Sequence, residues 1–181
     1  MISSKEAEIQ KLVEGCRAKN RNSQKLLYEK YFGIMMSISM RYCANWDESL
    51  EVVNSGFLKV FLKINDYQGK GSFEGWMKRI MVNTALDYLK SLKPRTDEID
   101  DRVVFENDYY LENKALSDFS VDDILQKVQE LPPMSRAVFN LNVIEGYKHR
   151  DISEQLGISE GTSHWHLQNA KKLLKEKLNR F

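Results

Sequence analysis

The sequence predicts an all-α protein of two small helical domains joined by an acidic flexible linker, with a helix-turn-helix at the C-terminal end. Three observations carry this. Apolar residues recur every three or four positions through most of the 181 residues, and no stretch of useful length alternates as a strand would. Only three prolines and nine glycines interrupt the chain, so long helices are permitted. Between two patterned stretches, residues 96–123 collect Asp97, Glu98, Asp100, Asp101, Glu106, Asp108, Glu112, Asp118, Asp122 and Asp123 without sustained periodicity, as a solvated spacer does.

Each element follows from local chemistry. Ile9, Leu12, Val13 and Cys16 have helical spacing after a Ser3/Glu6 pair that fits a capping box. From about Gln24, Leu27, Tyr31, Ile34, Met35, Ile38 and Tyr42 form the apolar face of a second helix, with Met35, Met36 and Met40 as packing material. Asp47 is placed to cap a third helix carrying Leu50, Val53, Phe57, Val60, Phe61 and Ile64, which ends before Gly69. Ser72 caps a fourth that runs toward Pro94. After the spacer, helical pattern resumes with Val121, Ile124, Leu125 and Val128. Pro132-Pro133 closes that helix and opens the next, with Ala137, Val138, Leu141 and Ile144 as its stripe.

Composition narrows the function classes. Hydrophobic residues at 42% and charged residues at 29% fit a globular protein and argue against wholesale disorder. No apolar run approaches the roughly 20 residues of a membrane helix, and Met1–Glu6 lack a secretion signal, so no membrane insertion and a cytoplasmic location are expected. Cys16 and Cys43 are too few for a disulfide framework and fall on apolar stripes, as packed reduced thiols do. Asp47, Glu48 and Glu51 have no histidine at metal-ligand spacing, so no metal is expected there; no cofactor, small-molecule substrate or catalytic residue is expected either.

Residues 148–178 carry the clearest signal. Ile152 and Leu156 lie one turn apart, Ser153 is small enough for a close crossing, and Gly157 suits the left-handed end of a short helix. Ser159 caps a second helix with Leu167, Ala170 and Leu174 as its buried stripe. With Leu167 at the centre of that stripe, Gly161, Trp165, Gln168, Asn169 and Lys172 face outward and His164 sits at the flank. The amides of Gln168 and Asn169 suit an adenine edge in the major groove, and Lys172 and Lys175 suit phosphates. His164 and His166, two apart, lie on different sides of the helix and do not make a metal pair.

Phe73-Glu74-Gly75-Trp76-Met77-Lys78-Arg79-Ile80-Met81-Val82-Asn83-Thr84-Ala85-Leu86-Asp87-Tyr88-Leu89-Lys90 closely resembles the promoter-melting helix of bacterial sigma factors. Val52-Val53-Asn54-Ser55-Gly56-Phe57-Leu58-Lys59-Val60-Phe61 resembles the same family's polymerase-binding helix, and Leu131 through Leu178 its fourth conserved region. The order and extent match the extracytoplasmic-function (ECF) class of the sigma-70 family. The chain departs from the common pattern at Asn54 and Ser55, which bears on the strength of core binding, and at Ser163 and the trio His164-Trp165-His166.

The resemblance implies a division into sigma region 2 at 1–93, the linker at 94–120 and sigma region 4 at 121–181. It implies core RNA polymerase and promoter DNA as partners, with an anti-sigma factor that masks the polymerase-facing surface near Val52, Leu58 and Leu62. The polymerase-binding residues it points to are Glu51, Val52, Asn54, Ser55 and Leu58. For the minus-ten element they are Lys70, Ser72, Phe73, Trp76, Lys78, Arg79, Asn83 and Asp87, where aromatic faces beside cations supply stacking for unpaired bases. For the minus-thirty-five element they are Glu160, Gly161, Thr162, His164, Trp165, Gln168, Asn169 and Lys172. The net charge of +1 fits a subunit that grips DNA poorly until polymerase positions both domains. The other expectation left open is a conventional dimeric helix-turn-helix regulator.

Overall fold

The computed structural model describes residues 4–92 and 126–178, and every regular element among them is helical. The linker, the Ser3 cap, Val121, Ile124 and Leu125 lie outside the described residues. The chain divides into two compact units, Met1–Tyr88 and Leu89–Phe181, with the division near the end of the fourth helix.

In the first unit, α1 spans Ser4–Arg17, α2 Arg21–Met40, α3 Trp46–Leu62 and α4 Phe73–Ser91, with a 3-10 turn at Ile64–Asp66. Asn20 starts α2 earlier than the apolar pattern predicts, its side chain accepting from the Ser23 amide at 3.0 Å. Asn45, not Asp47, caps α3, accepting from the Glu48 amide at 2.9 Å. Glu48 reaches back to accept from the Ala44 amide and the Asn45 side chain, both at 3.0 Å. Asp47 instead lies in the first turn, where its charge complements the helix dipole.

α2 packs against both α1 and α3. Two glycines permit close crossings. A Cβ on Gly15 would lie 2.1 Å from the Ser23 hydroxyl, so α1 and α2 approach where no other residue fits without movement. A Cβ on Gly56 would lie 2.6 Å from the methyl of Met81, which brings α3 onto α4. The core holds Leu27, Tyr31, Met35, Met36, Ile38, Tyr42, Val53, Phe57, Val60 and Ile64, with Cys16 and Cys43 buried among them. Burial also pushes the Cys16 thiol up, which keeps it protonated and inert. Ile34 and Met40, expected in this face, are exposed.

In the second unit, residues 126–129 are helical. Pro132 and Pro133 then open α5, Pro133–Phe139, which continues as a π-helical segment, Asn140–Ile144. The Glu145 amide donates to the Asn140 carbonyl at 2.9 Å, closing that wider turn. A wider turn changes the helical register, and Ile144, predicted on the buried stripe, is exposed as a result. α6 spans His149–Leu156 and α7 Glu160–Leu178. Val128, Leu131, Ala170 and Leu174 form a buried cluster flanked by Phe139 and Leu173. Buried Arg136 donates to the Gln129 carbonyl at 2.7 Å, tying α5 to the preceding helical segment.

Candidate nucleic-acid and polymerase interfaces

The turn between α6 and α7 forms as its residues dictate. Gly157 sits at φ 66°, in the left-handed region, and the amides of Gly157 and Ile158 both donate to the Ser153 carbonyl. Ser159 accepts from the Thr162 amide at 3.0 Å and starts α7. Ile152, Leu156, Leu167, Ala170 and Leu174 are buried.

The rotation of α7 about its axis differs from the expectation. Its buried face includes Ser163 and His166 as well as Leu167, because α5 packs on that side and Ser135 hydrogen-bonds the His166 ring at 3.1 Å. Asn169, expected to read an adenine, is half-buried, and its amide donates to the Ser135 hydroxyl at 3.2 Å. Trp165, expected outward, is also half-buried, with its ring edge-on to His166 at 4.8 Å. Gly161 and Thr162 are half-buried at the helix start, where the Thr162 hydroxyl meets that of Ser159. The exposed stripe is Glu160, His164, Gln168 and Lys172, one turn apart each, followed by Lys175.

A partner of this stripe comes from outside it. His149, at the start of α6, stacks on His164 with ring centroids 3.6 Å apart and shares a 2.8 Å hydrogen bond with buried Ser163. Burial holds the His149 ring below the usual histidine range, and His164 and Lys171 lower it further while Glu160 opposes them. No spacing rule joins positions this far apart, so sequence reasoning missed His149.

In the first unit, the loop before α4 presents Lys70, exposed between Gly69 and Gly71 at φ 75° and 81°. Ser72 accepts from the Gly75 amide at 3.0 Å and caps α4 as expected. Phe73, expected to stack on bases, is instead core, at 3% exposure. Its ring supports the half-buried Trp76, stacked at 5.6 Å, and meets Tyr67 edge-on at 5.1 Å and Tyr31 at 6.1 Å. Tyr67, which no sequence motif singles out, also contacts the Trp76 ring at 5.6 Å. The result is an aromatic step whose inner half is fixed and whose outer half, Trp76, remains accessible beside a cationic loop.

Farther along α4, Arg79 and Asn83 are exposed. Lys78 pairs with Glu74 at 2.7 Å and Asp87 with Lys59 at 2.9 Å, both pairs substantially solvated and therefore open to exchange.

On α3, Glu51, Asn54, Ser55 and Leu58 are exposed, with Leu58 at 60% and Leu62 at 73%. Val52 cannot serve the polymerase surface: it is 1% exposed and packs in the core. The helical period that puts Glu51, Asn54 and Leu58 on one side sends Val52 and Val53 to the other. Asn54 accepts a hydrogen bond from the Tyr28 hydroxyl at 3.0 Å. Tyr28, Glu29, Phe32 and Leu50 line an open groove of about 370 Å³ between α2 and α3. Among the described residues, no cluster of three or more His, Cys, Asp or Glu is placed to hold a metal ion, and no helix is long and apolar enough to cross a membrane.

Two family models match in order: Sigma-70 region 2 over residues 27–95 and Sigma-70 region 4 over residues 122–174. The chain is 27% identical over 163 residues to RNA polymerase sigma-H factor of Pseudomonas aeruginosa, covering 84% of each. It is 26% identical over 179 residues to ECF RNA polymerase sigma-E factor of Haemophilus influenzae, covering 93% of this chain and 94% of that one. Among solved structures, it resembles the sigma factor RpoE in complex with the anti-sigma factor NepR from Bartonella quintana, with a TM-score of 0.50 and 17% identity over 86% of this chain and 96% of the other, a likeness of fold.

Proposed function

The chain belongs to the extracytoplasmic-function class of the sigma-70 family and directs transcription initiation, and from that premise we propose how its residues divide the work. α7 reads the minus-thirty-five element as duplex DNA, with His164 and Gln168 toward base edges and Lys172 and Lys175 toward phosphates. Trp76, Lys70, Arg79 and Asn83 capture the minus-ten element as it opens, and Ser72 fixes the loop that presents Lys70. Leu58, Glu51, Asn54 and Ser55, with the Tyr28–Phe32 groove, dock on core polymerase. The protein supplies positioning and base capture and no covalent chemistry.

The observation that carries this division is the half-buried Trp76 braced on buried Phe73 and half-buried Tyr67 beside Lys70. An aromatic face held by its inner neighbours is pre-organised for stacking, which is worth about 1–3 kcal/mol per base. The conventional dimeric regulator does not account for the region 2 match over 27–95. An anti-sigma partner would cover Leu58 and Leu62, the same exposed apolar groups that polymerase needs.

Run-off transcription with core polymerase, with and without the protein, tests the function. A transcript that depends on the protein and on both promoter elements is expected. A holoenzyme that starts at no defined site would overturn it.

A further inference from the structure

The stacked pair His149–His164 joins a side chain on the exposed stripe of α7 to one that no DNA-reading role uses. The rings are 3.6 Å apart and 27° from parallel, so they share most of their faces. The Nδ1 edge of His149 is anchored by a hydrogen bond with Ser163, which is fully buried. Two imidazolium ions at this separation repel strongly, so the pair holds at most one proton comfortably. Desolvation penalises charge on the half-buried His149, which disfavours a proton there.

We propose that His164 contacts promoter DNA as a protonated ring and that His149 is the positioning residue that holds it there, so that binding of the minus-thirty-five element is linked to proton uptake from solution. This rests on the promoter-reading role of α7. A neutral ring beneath a cation gives it a polarisable face and fixes its direction, and nearby phosphate supplies the negative charge that makes protonation favourable. The charged groups facing the pair on α7 are Glu160, which favours the proton, and Lys171, which opposes it. The π-helical segment packed on α6, Asn140–Ile144, contributes no titratable side chain. The proton comes from solvent and returns to it on dissociation, leaving the phosphate ionised.

The test uses the holoenzyme and a duplex promoter fragment that it selects from a random pool, with affinity measured between pH 6 and pH 8 at fixed salt. One pKa unit of DNA-induced shift is tenfold in affinity, so the wild type should bind about three- to tenfold more tightly at pH 6 than at pH 8. His164→Gln, at an exposed position, should reduce that ratio below twofold. His149→Ala should reduce it as well and relax base preference at the pair facing His164. The double variant His149→Phe, Ser163→Ala restores a ring without stranding the buried hydroxyl and should recover the pH dependence. A purely structural role for His149 would weaken binding equally at every pH. The proposal is overturned if His164→Gln keeps the wild-type pH ratio, or if the alanine and phenylalanine variants at 149 behave alike. Failure of the holoenzyme to select any DNA would instead overturn the promoter-reading role, and this proposal with it.

Discussion

Tyr67 donates its hydroxyl to the Gly71 carbonyl at 2.9 Å while its ring packs on Phe73 and Trp76. One side chain thereby closes the loop carrying Lys70 and braces the aromatic step at the head of α4. Tyr67→Phe keeps the ring and loses a hydrogen bond of about 0.5–1.5 kcal/mol, so promoter opening should slow only a few-fold. Tyr67→Ala removes both supports and should slow it by tenfold or more. Permanganate reactivity of minus-ten thymines reads the difference, and equal effects of the two substitutions would refute the bracing role.

Phe73 and Trp76 are neighbours with different expected fates. Trp76→Ala should cost promoter opening about 1–3 kcal/mol, the worth of one stacked base, while lowering folding stability less than Phe73→Ala does, because its ring is only half-buried. Phe73→Ala removes a buried ring and should cost about 3–5 kcal/mol of folding stability. Paired thermal melts and open-complex assays separate the two, and a Trp76 variant that melts promoter normally would return Trp76 to a packing role.

Leu58 and Val52 test the polymerase surface in the same way. Leu58→Ala should leave folding stability within about 0.5 kcal/mol of wild type, as exposed substitutions do. It should weaken core binding by about 1–2 kcal/mol, roughly five- to thirtyfold. Val52→Ala should instead destabilise the fold by about 1–3 kcal/mol. Fluorescence titration against core polymerase is the measurement, and unchanged affinity for the Leu58 variant would move the docking surface elsewhere.

Gly15 explains why a helix breaker stands inside α1. Gly15→Ala forces the Ser23 side chain or the helices to move and should destabilise the first unit by about 1–3 kcal/mol. Adding Ser23→Gly removes both clashing atoms and should recover part of that loss. Urea unfolding of the single and double variants gives the coupling, and strict additivity would refute the crossing contact.

Glu130 accepts from Lys177 and Lys127, which holds its carboxyl down at about 2. The folded value lies below the usual 4.5, so this contribution is complete above that pH and is lost as pH falls toward about 2. Thermal melts of the second unit should decline across that window, and Glu130→Gln should flatten the decline. A wild-type decline that the substitution leaves intact would assign the acid sensitivity to other groups.

Local chemistry made much of the fold legible in advance. Pro132-Pro133, Gly157, Ser159 and Ser72 do in the structure what their residue types dictate, because caps and left-handed corners are settled within about four residues. Asp47 was the expected cap of α3, yet Asn45, two positions earlier and of equal cap propensity, takes that role, and residue type alone does not distinguish the two.

The candidate sites were legible as helices and only partly as faces. Residue order alone establishes that α4 and α7 carry aromatic, amide and basic groups at helical spacing. It took the packing of one helix on another to turn Phe73 inward, to tie Asn169 to Ser135 and to lay His149 on His164. Periodicity fixes the angles between residues on one helix, whereas the rotation of that helix against its neighbours depends on side chains tens of positions away.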